Sequence, residues 1–195
     1  MKTVVVELGV NRPVYVRGAI EKYKDIMFYG FEPCPHPGMV KPLEDLEKEF
    51  SNFKFSKMAA WIKDEVRVMT VSGSKCVGSS IVDKSPTNGH IAGFVPVQCT
   101  DLDAWVKATL VPEDNNILRA DIEGSEYYLF PHMMEKGSMA YFSTVFYEHH
   151  DLKMMDREKA KRTSQEMLGW FAQNKIYVST AYKELFDLED VKSYR

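Results

Sequence analysis

The amino-acid sequence predicts an α/β protein with a mostly parallel, doubly wound sheet and a β-rich insertion. Short apolar runs, typical of buried strands, alternate along the chain with amphipathic stretches that are typical of helices. This alternation favours parallel strands joined by crossover helices. The 195 residues, of which 45% are hydrophobic, suffice for one domain with a substantial core. We therefore expect residues 1–195 to form a single domain.

The first part of the chain supplies three predicted strands and two predicted helices. Three closely spaced prolines, Pro33, Pro35 and Pro37, interrupt this part, and we expect neither helix nor strand across them. The predicted elements are a strand from Thr3 to Leu8, a helix from Val14 to Lys24, a strand from Ile26 to Phe31, a helix from Val40 to Phe50 and a strand from Phe53 to Ala60.

The insertion is predicted from two stretches of β-forming residues, Val66–Val71 and Ile91–Gln98. They flank a segment rich in Gly, Ser, Pro and Asn, Ser72–Gly89. We place the insertion over the edge of the sheet. Because long loops near strand ends often gate sites, Ser72–Gly89 is a candidate lid, or equally a passive surface loop.

The second part of the chain alternates helices with strands again. The tail, Ala181 to Arg195, is expected to be helical or frayed. The predicted elements are a helix from Asp101 to Leu110 capped by Thr100 or Asp101, a strand from Asn116 to Ile122, a helix from Ser125 to Lys136, a strand from Met139 to Glu148, a helix from Asp156 to Asn174 and a strand from Lys175 to Thr180.

Charge and composition narrow the class of partner. The formal net charge of -3 gives no global basic field, so we expect no nucleic-acid partner and favour a small molecule. No apolar run approaches the roughly 18 residues of a membrane span, so no membrane association is expected. The cysteines Cys34, Cys76 and Cys99 are widely spaced, which favours reduced thiols, a cytoplasmic location and no structural zinc site.

Carboxylates follow the apolar run from Asn116 to Ala120. Asp121 and Glu123 come directly after it, before the next predicted helix. In open α/β sheets, ligands bind outside the carboxyl ends of the strands, so these two acids are the first candidates for function. The alternative is that they only cap the following helix.

A third acid, Glu32, lies 23 positions after Gly9. In dinucleotide-binding folds, an acid about 20 residues beyond the glycine turn binds the ribose hydroxyls of an adenosine. The spacing therefore indicates a nucleoside-containing cofactor, although a solvated turn residue is an equal alternative. A nicotinamide-dependent oxidoreductase would use Glu32 in the same way, but the chain lacks the glycine triplet of that class.

Several short motifs occur in an order that resembles one enzyme family. The resemblance runs from about Val4 to Glu148, and it is to the FkbM family of S-adenosylmethionine-dependent methyltransferases. The motifs are Val-Glu-Leu-Gly-Val-Asn11, Gly-Phe-Glu-Pro33, Met-Ala-Ala-Trp61, Gly-Ser-Ser80, Leu-Asp103 and Ala-Asp-Ile-Glu-Gly-Ser-Glu126.

The resemblance implies a Rossmann-like class I methyltransferase fold, S-adenosylmethionine as cofactor, and O-methylation of a small-molecule or saccharide acceptor. It also implies the residues that bind the cofactor. These are Glu7, Gly9 and Asn11 beside the methionine portion, Glu32 at the ribose hydroxyls, and Ala59 and Ala60 near the adenine.

The resemblance further implies that Asp121 and Glu123 face the methyl-transfer site. Because methyl transfer to a hydroxyl requires a group that accepts its proton, we assign them acceptor positioning or the role of base. His149 is the second choice for the base.

The turn after the first strand departs from the family pattern. The family usually has Asp-x-Gly-Ala-Asn followed by a second glycine, whereas this chain has Glu7, Val10 and then Arg12-Pro13. Pro13 restricts the backbone there, so we expect a reshaped cofactor turn. Arg119 stands where the family commonly has lysine. These departures keep open a degenerate methyltransferase-like binding protein without catalysis.

The last polar motif is Glu148-His149-His150-Asp151. Successive side chains of a strand point to opposite faces, so we expect at most one of the histidines to share a site with Glu148. With Asp121 and Glu123 nearby, this motif could hold a hard divalent cation. A solvated turn is the favoured interpretation, and no metal is predicted.

Overall fold

The structure, a computed structural model, describes residues 1–11, 13–72, 76, 78–83 and 91–180. The tail 181–195, Arg12 and much of the candidate lid lie outside this part of the chain. The described strands are, in chain order, β1 (Thr3–Leu8), β2 (Met27–Phe31), β3 (Phe53–Ser56), β4 (Ala59–Trp61), β5 (Glu65–Ser72), β6 (Ile91–Asp101), β7 (Asn115–Ala120), β8 (Phe142–Tyr147) and β9 (Tyr177–Ser179). The α-helices are α1 (Pro13–Lys22), α2 (Pro37–Glu49), α3 (Leu102–Thr109), α4 (Glu126–Lys136) and α5 (Arg157–Gln173).

Six strands form a parallel sheet in the order β3-β2-β1-β7-β8-β9. β1 is central, and its side chains are buried on both faces of the sheet, as expected for a parallel strand covered by helices. Val5 packs with residues of α1 and α2 on one face, while Val4 and Val6 pack with residues of α3, α4 and α5 on the other. The fold is therefore α/β and Rossmann-like, as the sequence predicted. In the described part of the chain, no helix combines the length and apolar character that a bilayer crossing requires.

The predicted β-rich insertion is present as a second sheet with the strand order β4-β6-β5. β5 and β6 pair antiparallel, and β4 pairs parallel with β6. The prediction of one strand from Phe53 to Ala60 is therefore wrong. β3 hydrogen-bonds to β2 in the large sheet, whereas β4 takes its partner from β6, so the chain changes sheets between Ser56 and Ala59.

Two further element boundaries differ from the prediction. α2 begins at Pro37, inside the proline-rich segment, because proline is tolerated in the first turn of a helix, and Nδ1 of His36 accepts a hydrogen bond from the Gly38 N–H at 3.1 Å. The strand predicted from Met139 begins only at Phe142, because the preceding residues form a 3-10 turn. The other described elements lie within a few residues of their predicted ends.

The prediction of three reduced thiols is wrong for two of them. Cys34 and Cys76 form a disulfide across 42 positions of sequence, with their Cα atoms 6.5 Å apart. The third cysteine, Cys99, is free and buried. Spacing in the sequence cannot reveal such a pair, because the fold alone brings the end of β2 against the insertion.

Candidate functional site

A cavity of about 590 Å³ opens at the carboxyl ends of the large sheet's strands. It lies beside β1 and β7, where the strand order reverses direction, which is the usual ligand position in open α/β sheets. The cavity brings together nearly all of the residues that the sequence singled out. The predicted site residues that line it are Glu7, Gly9, Asn11, Glu32, Ala59, Ala60, Asp121 and Glu123.

Gly9 forms the corner at which the chain leaves β1. Its N–H donates to the Phe31 carbonyl at 2.9 Å, and its φ of +85° lies in the left-handed region that favours glycine. A Cβ atom at this position would overlap the backbone oxygen of Asp121. The corner therefore packs the ends of three neighbouring strands together, and it requires glycine for both reasons.

Glu32 follows β2 and is almost fully buried, with 6% of its surface exposed. Its Oε1 accepts a hydrogen bond from the Cys34 N–H at 2.9 Å. Burial raises the pKa of Glu32 to about 7, and the hydrogen bond from Cys34 only partly opposes the rise. This carboxyl therefore exchanges its proton near neutral pH.

Glu7 and Arg119 form a buried ion pair at the edge of the cavity. Nη1 of Arg119 lies 2.7 Å from Oε2 of Glu7. The two residues are direct neighbours in the register of β1 and β7. The pair thus presents one group of each charge, although the predicted cofactor-binding set named only Glu7 of the two residues.

Asp121 and Glu123 lie in a tight turn between β7 and α4. Glu123 and Gly124 both have positive φ, at 54° and 101°. Glu126 holds this turn, because its Oε1 accepts from the Ile122 N–H and its Oε2 from the Gly124 N–H, each at 2.8 Å. The sequence left open that Asp121 and Glu123 only cap the helix that follows them. In the described structure, Glu126 makes these hydrogen bonds to the backbone of the turn.

His150 joins the carboxylates of this turn. Its Nε2 lies 3.6 Å from Oδ1 of Asp121 and 3.5 Å from Oε2 of Glu123, and its Nδ1 lies 3.3 Å from Oε1 of Glu126. Burial disfavours the charged imidazolium, but Glu126 and Glu123 outweigh this effect and raise the pKa of His150. The group is thus a histidine enclosed by acids.

His149, the predicted second choice for the base, takes a different direction. Its ring stacks on Tyr147 with the centroids 4.9 Å apart and the planes 25° apart. It is not among the described residues that line the cavity. β8 ends at Tyr147, so strand alternation no longer governs the two histidines, and the chain brings His150 to the acids instead.

Burial and the neighbouring charges change the pKa of Asp121. Burial raises the pKa of Asp121 to about 7, and the negative charge of Glu148 adds to the rise, while His150 opposes it. An acid with a pKa near the working pH is suited to receive and release a proton. When ionised, Asp121 is therefore a stronger proton acceptor than an ordinary carboxylate.

The described part of the candidate lid lines the same cavity. Two of its contacts reach the ends of the large sheet's strands, because Cys76 is bonded to Cys34 and Ser80 Oγ donates to the Glu123 carbonyl at 2.9 Å. Residues 73–75, 77 and 84–90 of the segment lie outside the described part of the chain. The lid itself stays a prediction.

Three residues of this site were not predicted from the sequence, namely His150, Glu126 and Ser80. Each stood inside a motif that had been noticed, but none carried a signal that set it apart. Glu126 was only the last residue of the motif that contains Asp121 and Glu123, and Ser80 belonged to a short common motif. Only the positions of their side chains connect them to Asp121 and Glu123.

The comparisons with known proteins add no family to these observations. No family model matches the chain, and no significant match to it was found among curated proteins or solved structures. The class that the fold and the cavity define is an α/β protein with a Rossmann-like sheet and a polar site at its carboxyl edge.

Proposed function

We propose that this protein is an S-adenosylmethionine-dependent O-methyltransferase with a class I methyltransferase fold that acts on a hydroxyl of a small molecule or saccharide. One observation carries the proposal. A single cavity joins the Gly9 corner and the Glu32 carboxyl to Asp121 and Glu123, so a donor site and an acceptor site share one space. Its volume of about 590 Å³ falls within the usual range of small-molecule and cofactor sites.

The donor half of the cavity has groups suited to each part of the cofactor. Glu32, at the end of β2, offers carboxylate oxygens to the ribose hydroxyls. The small apolar side chains of Ala59 and Ala60 leave room for the adenine ring. Glu7 and Arg119 provide opposite charges for the amino and carboxyl groups of the methionine portion.

The acceptor half of the cavity supplies proton transfer and positioning. S-adenosylmethionine, when bound, supplies a methyl group on a positively charged sulfur. With the cofactor in place, Asp121 would accept the proton of the acceptor hydroxyl, whose oxygen would take the methyl group while the sulfur would keep the electron pair of the broken bond. Glu123 lies beside Asp121 and positions the acceptor by hydrogen bonding to it.

A degenerate methyltransferase-like binding or partner protein is the second candidate. The pKa of Glu32, raised to about 7 by burial, favours it, because a partly protonated carboxyl is a weaker acceptor for ribose hydroxyls. The departures from the family pattern at Val10 and Arg12-Pro13 also favour this second candidate. Pro13 itself is the first residue of α1, a position where proline is tolerated.

Isothermal titration calorimetry with three ligands tests the proposal. S-adenosylmethionine and S-adenosylhomocysteine are added separately to the protein at pH 8 in the presence of EDTA, and NAD is added in a third titration. We expect the first two to bind and NAD not to bind. Binding of none favours the degenerate scaffold, and binding of NAD alone favours an oxidoreductase.

A cytoplasmic location belongs to the same proposal. The Cys34–Cys76 disulfide is the observation against it, because reducing compartments rarely maintain such bonds. Thiol titration of protein isolated under alkylating conditions shows whether Cys34 and Cys76 are bonded in the cell or are reduced.

A further inference from the structure

We propose that Asp121, Glu123 and His150 form a binding site for a divalent transition-metal ion of the Mn²⁺ or Zn²⁺ class. One ligand atom from each side chain lies within 4.8 Å of the others. The three residues come from two different strand ends, because Asp121 and Glu123 follow β7 and His150 follows β8. Neighbouring parallel strands therefore bring the set together at the edge where ligands bind.

The distances suit ligands that share an ion. Nε2 of His150 is 3.6 Å from Oδ1 of Asp121 and 3.5 Å from Oε2 of Glu123. These separations exceed those of ordinary hydrogen bonds. Two ligands bound to one ion at about 2.1 Å lie roughly 3.0 to 3.5 Å apart, so only small side-chain movements complete the coordination.

His150 is the observation that sets this group apart from a surface cluster of acids. Its side chain is fully buried, at 0% exposure, and it points into the cluster. Among the described residues, neither Nε2 of His150 nor Oδ1 of Asp121 has a hydrogen-bond partner. Buried polar atoms are costly without a partner, and a bound cation satisfies both of these atoms.

The surroundings of His150 match those of a metal-binding histidine. Its Nδ1 lies 3.3 Å from Oε1 of Glu126, which is itself fixed by the Ile122 and Gly124 N–H groups. In metal sites, a carboxylate commonly accepts the proton of the nitrogen that does not bind the metal. Nδ1 makes no hydrogen bond in the described structure, but Glu126 is close enough to accept its proton when Nε2 binds a metal.

The charge around the site also favours a cation. Lys153 Nζ lies 3.5 Å from Oε2 of Glu123 and 3.9 Å from Oε1 of Glu148, and it compensates for one negative charge. Among the described residues that face His150, the carboxylates outnumber the Lys153 cation when His150 is neutral, as a metal ligand must be. The carboxylates that face His150 are Asp121, Glu123, Glu126 and Glu148.

The mixed ligand set selects the class of metal. Imidazole nitrogen suits transition metals better than it suits Ca²⁺ or Mg²⁺, whereas carboxylates bind Mn²⁺ well. Asp121 and Glu123 also line the cavity, so the ion keeps positions open to it. Insofar as the proposed methyl transfer holds, an ion bound there would polarise the acceptor hydroxyl and assist the loss of its proton.

Electron paramagnetic resonance with Mn²⁺ tests the site. Metal-free protein is titrated with MnCl₂ at pH 7.5 in the absence of S-adenosylmethionine, and the signal of free Mn²⁺ is followed. We expect one Mn²⁺ bound per chain, displaced by Zn²⁺ and much less by Mg²⁺. Pulsed measurements are expected to detect coupling to one histidine nitrogen.

Three variants locate the ion. His150→Gln and Asp121→Asn are expected to weaken Mn²⁺ binding by at least about tenfold, and the nitrogen coupling disappears in the first. Glu135→Gln removes an exposed acid of α4 and serves as the control with unchanged binding. Should His150→Gln fail to fold by circular dichroism, Asp121→Asn decides alone, because its side chain is 24% exposed.

Two results overturn the site. One is wild-type protein that binds neither Mn²⁺ nor Zn²⁺ at millimolar concentration. The other is binding that Asp121→Asn leaves unchanged. Because the metal titration contains no S-adenosylmethionine and the cofactor titration contains EDTA, failure of the metal site and failure of the proposed methyltransferase are seen separately.

Discussion

Arg119 and Glu7 form a buried ion pair across the two strands at which the sheet reverses its strand order. Nη1 of Arg119 lies 2.7 Å from Oε2 of Glu7, and the two side chains are only 3% and 10% exposed. Both residues line the cavity. The pair therefore connects β1 to β7 within the donor half of the proposed site.

Loss of one partner of this pair is expected to destabilise the protein strongly. Arg119→Ala removes the cation that lies closest to the buried Glu7 carboxylate in the described structure, which costs about 3 to 5 kcal/mol in urea denaturation. The double variant Glu7→Leu/Arg119→Met is expected to lose much less. Arg17→Ala is the control, because it breaks an exposed pair with Glu49 and costs less than about 1 kcal/mol. If Arg119→Ala and Arg17→Ala lower the free energy of unfolding equally, the Glu7–Arg119 pair is not the buried ion pair described above.

Replacement of Glu32 is expected to weaken cofactor binding without unfolding the protein. Glu32→Ala leaves the ribose hydroxyls without their acceptor, and the affinity for S-adenosylhomocysteine falls by roughly 1 to 3 kcal/mol in calorimetry. Glu44→Ala, an exposed acid on α2, is the matched control. Unchanged affinity in a folded Glu32→Ala protein removes Glu32 from the cofactor site.

The raised pKa of Glu32 makes a directional prediction for stability against pH. The folded protein holds this proton more tightly than the unfolded chain, because burial raises the pKa from 4.5 to about 7. The contribution of Glu32 is therefore fully present below pH 4.5 and is lost as the pH rises through about 7. The full loss amounts to about 3 kcal/mol.

Glu32→Gln isolates this effect, because the amide does not titrate. We expect the free energy of unfolding of the wild type to fall relative to that of the variant between pH 5 and pH 8, as measured by urea denaturation. A difference between the two proteins that stays constant over this range is incompatible with the raised pKa.

Asp121→Asn is expected to separate binding from turnover. The amide keeps the size of the side chain but cannot accept the hydroxyl proton, so methyl transfer falls by roughly 100-fold or more. The affinity for S-adenosylhomocysteine is expected to remain close to that of the wild type. Full activity of this variant with the true acceptor rejects a catalytic role for Asp121.

The Cys34–Cys76 disulfide predicts the number of reactive thiols. Protein denatured without reductant should give one thiol per chain with Ellman's reagent, from Cys99, and three after reduction. In the native state, Cys99 should react slowly, because burial raises the pKa of its thiol to about 11. Three thiols in the unreduced, denatured protein contradict the disulfide.

Local patterns in the sequence predicted most of the elements because each element carries its own periodicity. The apolar run of β1 and the amphipathic pattern of α5 are examples. β4 was not distinguished from β3, because two short apolar strands separated by Lys57 and Met58 look like one strand until their different partners are known.

The candidate site was predictable to the extent that it follows strand ends. Glu32 and Asp121 stand directly after β2 and β7, and the parallel sheet brings such positions to one edge whatever the rest of the fold does. The sequence could not show in the same way whether His149 or His150 belongs to the site. β8 ends at Tyr147, and beyond that residue the direction of each ring depends on contacts with Tyr147 and with the acidic turn.

The amino-acid sequence by itself determined the α/β class, most element positions and the set of acids at the strand ends, because burial and hydrogen bonding impose short-range patterns on the chain. Only the tertiary structure decided that His150 joins Asp121 and Glu123, that Arg119 pairs with Glu7, and that Cys34 meets Cys76. These contacts join residues that are far apart in sequence or lie beyond the end of a strand. The periodicity of a helix or strand does not relate such side chains to one another. Their geometry exists only once the sheet has formed.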